Sequence, residues 1–193
     1  MSINPRFTEL TPVRQEDTEE VVMFYNQEIS AIQSDPNRMT MWSSFTNEQI
    51  ADIIQNPTSD LLVLREKLGK TAVGNIVGGV IVDQDFSAWS PNEIELTYSH
   101  PRHFAKFLAK QGLGRSALWP SLLEYGKTNN ISLYVAEAWD FTYDGLPKDN
   151  LKEYYTSLGM KWQGTVVYKN NYYGNIIGNE RPVNRFSYDL DRC

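Results

Sequence analysis

The chain has 193 residues, of which 41% are hydrophobic and 22% are charged, and its formal net charge is −6. No run approaches the roughly 18 consecutive apolar residues of a membrane-spanning helix, and the single cysteine, Cys193, excludes an internal disulfide. The negative charge argues against nucleic acid as a partner, because phosphate binding needs clustered lysine and arginine. We therefore expect a cytoplasmic protein with no membrane association and one domain over residues 1–193.

The first part of the chain predicts a strand and two helices. Alternation of apolar and polar residues favours a strand over residues 6–13. Residues 14–30 carry apolar side chains at helical spacing behind Asp17, which we predict to be the helix N-cap. Thr46 and Gln49 form a capping-box pattern before the next apolar run, so a second helix is expected to begin there.

The rest of the chain predicts a sheet built partly from consecutive strands. LLVLRE, VGNIVGGVIVDQ and NEIELTYS are separated by turn residues and predict an antiparallel meander. A helix to about Asn129 follows, with Trp119-Pro120 near its start, then a strand, a short helix closed by Gly159 and two strands. The order β-α-α-β-β-β-α-β-α-β-β predicts an α/β (α+β) fold, in which helices flank a mixed, mainly antiparallel twisted sheet.

Two glycines, Gly112 and Gly114, surround a leucine just before the central helix, in LAKQGLGRSALW. Glycine loses more backbone freedom on folding than other residues, so the pair indicates a tight turn or a close approach by a ligand. The unpaired N–H groups of a helix start would suit a phosphate. The segment matches neither the P-loop pattern nor the dinucleotide fingerprint, which leaves a bare turn or another phosphate-bearing ligand as the alternatives.

Two motifs within this strand order resemble the GNAT superfamily of N-acetyltransferases, and the resemblance covers nearly the whole chain. AKQGLG is similar to the family's coenzyme-A signature, Arg/Gln-x-x-Gly-x-Gly/Ala, and EYYTSLGMKW is similar to its late aromatic-Tyr-x-x-x-Gly-Phe pattern. Ala109 departs from the first position of the signature, and the segment between Pro101 and Gly112 is longer than in the family. The resemblance implies a GNAT-like sheet and acetyl-CoA as co-substrate.

The resemblance also implies which residues hold acetyl-CoA. Backbone N–H groups of the glycine turn would bind its pyrophosphate, and the end of the NEIELTYS strand would offer backbone groups to the pantetheine arm. Lys106, Lys110 and Arg115 lie close enough to supply the charge that Ala109 lacks. The residues assigned to the cofactor are Thr97, Tyr98, Ser99, Lys110, Gln111, Gly112, Leu113, Gly114, Arg115 and Ser116.

Three residues would move protons if the resemblance extends to the chemistry. Tyr155 matches the tyrosine that protonates the departing thiolate, and Glu93 or Glu95 would accept the amine proton through water. Strand alternation places both glutamates on one face of the sheet. It places Ile94, Leu96 and Tyr98 on the other face. Two alternatives stay open: the glutamates lie on a solvated face, and Tyr155 packs in the core.

The loop between the first two helices contains Trp42 and Phe45, which could line the site of the amine or fold back onto the core. The two histidines and Cys193 show no metal-binding spacing, so no metal is expected. We predict direct acetyl transfer to a primary amine on a small molecule or peptide. A non-catalytic module that binds CoA or a partner is the alternative, and the Asn- and Tyr-rich residues 168–184 could form a homodimer contact.

Overall fold

The structure, a computed structural model, describes residues 7, 9–34, 44–69, 72–83, 93–99, 114–139, 151–168 and 181–191. Its strands are β1 (Thr11–Pro12), β2 (Ser59–Leu68), β3 (Ala72–Asp83), β4 (Glu93–Ser99), β5 (Leu133–Trp139), β6 (Lys161–Tyr168) and β7 (Arg181–Asp189). Its helices are α1 (Thr18–Gln33), α2 (Asn47–Gln55), α3 (Trp119–Thr128) and α4 (Leu151–Ser157). A 3₁₀ turn at Gln15–Asp17 precedes α1, and a π-helical turn at Gly114–Leu118 precedes α3. The order of these elements confirms the predicted order.

The strands form one seven-stranded sheet in the order β1-β2-β3-β4-β5-β7-β6. β4 and β5 are parallel, and every other neighbouring pair of described strands is antiparallel. Parallel neighbours need a long crossover between them, and α3 lies in that connection. The predicted meander, β2 to β4, and the mixed, mainly antiparallel sheet are both confirmed.

Apolar side chains cover both faces of the sheet. Along β2, Leu61 and Val63 belong to one cluster while Leu62 and Leu64 belong to the other, as alternation requires. The first cluster packs under α1 and α2 through Val21, Tyr25 and Ile50. The larger cluster packs under α3 and α4 and includes Val80, Val82, Leu118, Trp119, Leu122, Tyr134, Ala136, Tyr155, Leu158 and Phe186. The helices therefore form two layers with the sheet between them.

Helix α2 begins where the sequence motif predicts. The Thr46 hydroxyl accepts the N–H of Gln49 at 3.2 Å, and the Gln49 side chain accepts the N–H of Thr46 at 2.9 Å. These reciprocal bonds satisfy two donors that the start of a helix otherwise leaves unpaired. Asn56 is the C-cap of the helix. The capping-box prediction is confirmed.

The start of the chain differs from the prediction at two places. Among the described residues of the strand expected over residues 6–13, Thr11–Pro12 form a strand at the edge of the sheet and Phe7 forms an isolated antiparallel bridge with Glu66. Pro12 has no N–H to donate, which restricts it to an edge position with little pairing. Asp17 lies in the 3₁₀ turn before α1 and accepts the N–H of Arg14 at 3.3 Å, so it closes that turn and is not the N-cap predicted for α1.

Two close approaches fix helices against the sheet. The hydroxyl of Tyr25, on α1, lies over Gly79 of β3, where an added Cβ would collide with the oxygen. On the opposite face, the hydroxyl of Tyr134 donates to the carbonyl of Leu122 in α3 at 2.7 Å, and Gly126 leaves room for it. Each glycine is therefore needed for the distance between its helix and strand.

Candidate cofactor and catalytic site

Strands β4 and β5 pair over a short ladder and then separate. The ladder ends at Leu96 and Ala136. Beyond it, β4 continues beside β3 and β5 continues beside β7, and the described residues form no further pair between β4 and β5. We call the opening between residues 97–99 and residues 137–139 the fork. Open sheets bind ligands at the carboxyl ends of adjacent strands where the chain connections diverge, so the fork is a candidate site.

Strand β4 is irregular where the fork begins. Leu96 stands opposite Val82 and Tyr98 stands opposite Ile81, so two steps along β4 match one step along β3. Val82 and Ile81 belong to the apolar clusters on opposite faces of the sheet. The alternation predicted for Leu96 and Tyr98 is therefore interrupted at Thr97, as in a β-bulge. Such bulges redirect a strand and are common beside active sites.

Glu93 and Glu95 lie on β4 on the amino-terminal side of the fork. They stand in register with Leu133 and Val135 of β5, and Glu95 also stands opposite Asp83 of β3. Two residues of one strand at this spacing share the same side of it. Their side chains lie outside the described part of the structure, so their role as proton acceptors stays a prediction.

The amino end of α3 lies at the same end of the sheet as the fork. The N–H of Ile131 donates to the carbonyl of Gly126 at 2.9 Å, which joins the carboxyl end of α3 to the start of β5. The opposite end of the helix, with the turn Gly114–Leu118, therefore lies toward the carboxyl ends of β4 and β5. A π-helical turn is rare and often marks a functional site, and the N–H groups of a helix start attract anions.

The residues assigned to the cofactor are partly described. The structure gives the backbone of Thr97, Tyr98, Ser99 and Gly114, and the side chains of Arg115 and Ser116, which are exposed. These residues belong to the end of β4 and to the turn before α3, which lie at the same end of the sheet. The assigned residues outside the described part are Lys110, Gln111, Gly112 and Leu113, and Trp42 also lies outside it.

Arg115 connects the start of α3 to the end of α4. Its Nη2 donates to the hydroxyl oxygen of Ser157, and that hydroxyl donates to the carbonyl of Tyr154 at 2.6 Å. Sequence reasoning missed Ser157, because the two bonded residues are 42 positions apart. One signal was present in the sequence: Arg115 is a cation in the first turn of a helix, where the helix dipole disfavours positive charge.

Tyr155 lies in the larger apolar cluster and is 5% exposed. Its ring stacks on Phe186 of β7 with centroids 5.1 Å apart and meets Tyr154 edge-on at 5.4 Å. Gly159, with φ of +90°, follows the helix that carries Tyr155, as predicted. Burial of this kind fits core packing, which is the alternative that the sequence left open. The catalytic role stays a prediction.

Phe45 is held by a side chain that sequence reasoning did not select. Asn26 of α1 donates its Nδ2 to the carbonyl of Phe45 at 2.8 Å and accepts the N–H of Phe45 at 2.6 Å. The Phe45 ring packs edge-on against Tyr25 at 5.6 Å. The Tyr25 hydroxyl lies over Gly79, one residue from the partner of Ser99. Phe45 therefore lies near the carboxyl end of β4, on the face covered by α1 and α2.

Side chains able to bind a metal ion are not clustered where the structure is described. That part of the chain contains no group of three His, Cys, Asp or Glu side chains able to hold a metal ion. His100, His103 and Cys193 lie outside it. Within the same residues, no helix is long and apolar enough to cross a membrane.

Solved structures of similar fold span nearly the whole chain. A spermidine N-acetyltransferase from Vibrio cholerae, solved with CoA and spermine, has a TM-score of 0.61 at 16% identity and covers 97% of this chain and 98% of its own. A ribosomal-protein-S5-alanine acetyltransferase from Vibrio fischeri has a TM-score of 0.63 at 15% identity, with coverages of 98% and 96%. The yncA protein of Salmonella typhimurium, solved with its cofactor acetyl-CoA, has a TM-score of 0.59 at 17% identity, with coverages of 97% and 96%.

Sequence comparison adds no closer relative. No protein-family model matches the chain, and no curated protein matches it in sequence. At the identities given above, the likeness to the solved structures establishes a shared fold. It extends over both halves of the sheet, because coverage is nearly complete for either chain of each pair.

Proposed function

We propose that this chain, which has the GNAT-like fold of the acetyltransferases named above, is an N-acetyltransferase that uses acetyl-CoA. The observation that carries the proposal is the fork between β4 and β5, with the amino end of α3 at the same end of the sheet. We also propose that residues 1–193 act as one domain, since β1 and β7, from opposite ends of the chain, belong to one sheet.

The described residues fit acetyl-CoA at two points along its length. The backbone of Thr97–Ser99 is not paired with β5, so it can pair with the amide groups of the pantetheine arm. The π-helical turn before α3 offers N–H groups and the exposed Arg115 to the pyrophosphate. The end of β4 and the turn into α3, including residues 110–116, are therefore the residues that would hold the cofactor.

When bound, acetyl-CoA supplies an acetyl thioester, whose carbon–sulfur bond breaks as the amine nitrogen bonds to the acetyl carbon. The carboxylate of Glu93 or Glu95 takes the proton that the amine loses, through a water molecule. The Tyr155 hydroxyl gives a proton to the departing sulfur, since phenols and thiols ionise in neighbouring pH ranges. Backbone N–H groups at the fork polarise the acetyl carbonyl. One proton is lost by nitrogen and one is gained by sulfur, and the transfer is direct.

The proposed acceptor is a primary amine on a small molecule or a peptide. The net charge of −6 favours a cationic partner over an anionic one. Phe45 offers an aromatic ring near the carboxyl end of β4, and ring faces attract ammonium groups. Proteins of this fold named above include one for spermidine and one for a ribosomal protein, which supports both kinds of acceptor as candidates.

A non-catalytic CoA-binding module is the second candidate. The ring contacts of Tyr155 with Phe186 and Tyr154 would suffice to explain its presence as a core residue. Ala109 also lacks the side chain that the cofactor signature carries at that position. This candidate predicts binding of CoA without turnover.

Calorimetric titration with acetyl-CoA, CoA and ATP in parallel tests the binding step. We expect saturable binding of both CoA species and little binding of ATP, because ATP has no pantetheine arm to pair with β4. An acetylation screen over polyamines and peptide amino termini then identifies the acceptor. Binding of ATP in preference to CoA, or binding of neither, would remove the acetyltransferase proposal.

Variants at the proposed catalytic groups separate an enzyme from a binding module. We expect Tyr155→Phe, and the double change Glu93→Gln with Glu95→Gln, to lower kcat by about 10²-fold while CoA affinity is retained. Tyr125→Phe is the matched control, because the Tyr125 hydroxyl is bonded to Asp60 on β2 at 2.6 Å and has no proposed part in the transfer. Unchanged turnover in all of these variants would remove the assigned roles.

A further inference from the structure

Arg115 is the first member of a chain of two hydrogen bonds that reaches the backbone of Tyr155. The guanidinium donates to the Ser157 hydroxyl, which donates to the Tyr154 carbonyl at 2.6 Å. That carbonyl belongs to the peptide group joining Tyr154 to Tyr155. The chain therefore runs from the helix start proposed to bind pyrophosphate to the residue proposed to protonate the thiolate.

The charges of the two helices favour this contact. The π-helical turn before α3 contains no acidic residue, so no side chain of that turn offsets the partial positive charge of the helix start near Arg115. The last turn of α4 contains no basic residue, although the carboxyl end of a helix carries partial negative charge. Arg115 supplies the missing cation to α4 while its own backbone lies where an anion is expected.

The guanidinium can serve both partners at once. It has five N–H donors, and among the described residues one of them is engaged, by Ser157. Its planar shape allows bonds to phosphate oxygens through the other donors while Nη2 stays on the serine. A bound phosphate would fix the guanidinium, and the fixed guanidinium would then hold the end of α4.

We propose that the Arg115–Ser157 contact couples cofactor binding at the start of α3 to the position of α4, with Ser157 as a positioning residue for Tyr155. The inference rests on the proposed function, because it requires CoA to bind at the fork. Ser157 acts through the Tyr154 carbonyl, and it is assigned no contact with the cofactor or the reacting atoms.

Hydrogen exchange measured with and without CoA tests the coupling without relying on activity. The N–H groups of Leu158, Gly159 and Met160 donate to carbonyls at the end of α4, so their exchange rates report on that helix end. In the wild-type protein we expect CoA to slow these rates about tenfold. In Ser157→Ala we expect the CoA-dependent slowing to disappear.

Thr156→Ala is the matched control for this variant. Its hydroxyl lies on the same helix and donates to the Lys152 carbonyl at 2.8 Å, but it is not bonded to Arg115. We expect Thr156→Ala to keep the CoA-dependent slowing. Ser157→Thr retains the hydroxyl, so it should also retain the CoA-dependent slowing.

Kinetics and calorimetry then separate positioning from binding. We expect Ser157→Ala to lower kcat about tenfold, because misplacement of a reacting group is costly, and to leave the Kd of CoA within about threefold of wild type. Arg115→Ala should weaken CoA binding and lower kcat together. In the Tyr155→Phe background, Ser157→Ala should cause no further loss of kcat, since both changes act on the same group.

The possible outcomes distinguish this inference from the function on which it rests. Equal CoA-dependent slowing in wild type and Ser157→Ala, or additive losses of kcat in the Tyr155 and Ser157 variants, would overturn the coupling and leave the acetyltransferase proposal intact. The same loss in Thr156→Ala as in Ser157→Ala would reduce Ser157 to a residue that stabilises α4. Failure of the wild-type protein to bind CoA would overturn both proposals.

Discussion

At the scale of single residues, the Asn26 side chain bonds to both backbone groups of Phe45, as a neighbouring strand would in a sheet. Its amide donates to the carbonyl and accepts the N–H of the same residue, so both backbone groups of Phe45 are satisfied by one side chain. The two residues are 19 positions apart, so the pairing holds the loop entering α2 onto α1. A side chain with two donors or two acceptors cannot make this pair of bonds.

Asn26→Asp replaces the donor with a second oxygen, which faces the Phe45 carbonyl. We expect the free energy of unfolding to fall by about 1–3 kcal/mol, because a carbonyl loses its partner and meets a negative charge. We also expect the KM for the amine to rise while the KM for acetyl-CoA is unchanged, since Phe45 lies on the face away from α3. Urea denaturation and initial-rate kinetics measure the two effects.

Asn56→Asp provides the matched comparison for that change. Asn56 also uses both ends of its amide, bonding to Ser59 and Thr58, but it lies at the exposed carboxyl end of α2, whereas Phe45 precedes the amino end of that helix. The KM for the amine should be the same in Asn56→Asp as in wild type. Equal KM values for the amine in both aspartate variants would contradict a role of Asn26 in holding the acceptor side of the site.

At the scale of elements, the start of α2 depends on the Thr46 hydroxyl. We expect Thr46→Ala to lower the free energy of unfolding by about 1 kcal/mol, the usual cost of losing a helix N-cap. Urea denaturation at constant pH measures it. Thr128→Ala is the comparison. The Thr128 hydroxyl lies at the carboxyl end of α3, where it donates to the Glu124 carbonyl and so does not act as an N-cap. A loss no greater in Thr46→Ala than in Thr128→Ala would contradict the capping role.

Elements whose partners lie within a few residues could be predicted from the sequence. The bonds between Thr46 and Gln49 and the left-handed Gly159 are local, so residue types and spacing suffice to place them. Asp17 shows the limit of this reasoning, because an acidic residue suits the N-cap of a helix and also the third position after an N-cap, and Asp17 takes the second of these, after Arg14.

The features that shape the candidate site depend on distant partners and could not be predicted. The register shift at Thr97 arises where β4 meets β3, and the fork arises where β4 stops pairing with β5. The bond from Arg115 to Ser157 joins residues 42 positions apart, so it depends on how α4 packs on the sheet. Sequence alone indicated the elements of the site, and the tertiary structure supplied the contacts between them.

At the scale of the whole molecule, buried tyrosines make stability depend on alkaline pH. Burial raises the pKa of Tyr25 and of Tyr134 above the usual value for a phenol, and burial with a hydrogen bond to Asp60 does the same for the pKa of Tyr125. The folded protein therefore keeps protons that the unfolded chain loses above pH of about 10. The free energy of unfolding should be unaffected by these groups below that pH and should fall above it, by about 1.4 kcal/mol per pH unit for each of Tyr25 and Tyr134, the two that are buried.

Urea denaturation at a series of pH values from about 8 to 11 measures this slope. Tyr25→Phe removes one of the titrating groups, so its slope above pH of about 10 should be shallower than that of wild type by about one proton. The comparison uses the slope of the free energy of unfolding against pH. A loss of stability in Tyr25→Phe that is equal at every pH leaves that slope unchanged. Equal slopes for the two proteins would mean that Tyr25 ionises alike in the folded and unfolded states.

The strand order also determines when each part of the sheet can be completed during synthesis. β2, β3 and β4 pair in the order in which they leave the ribosome, whereas β5 and β6 both take β7 as a neighbour, and β7 is the last strand along the chain. A nascent chain that has reached residue 180 therefore contains a paired amino-terminal meander beside a β6 whose partner has not yet been made. Premature termination before Arg181 would leave β6 with no strand to pair with, and an unpaired edge of this kind is a template for aggregation.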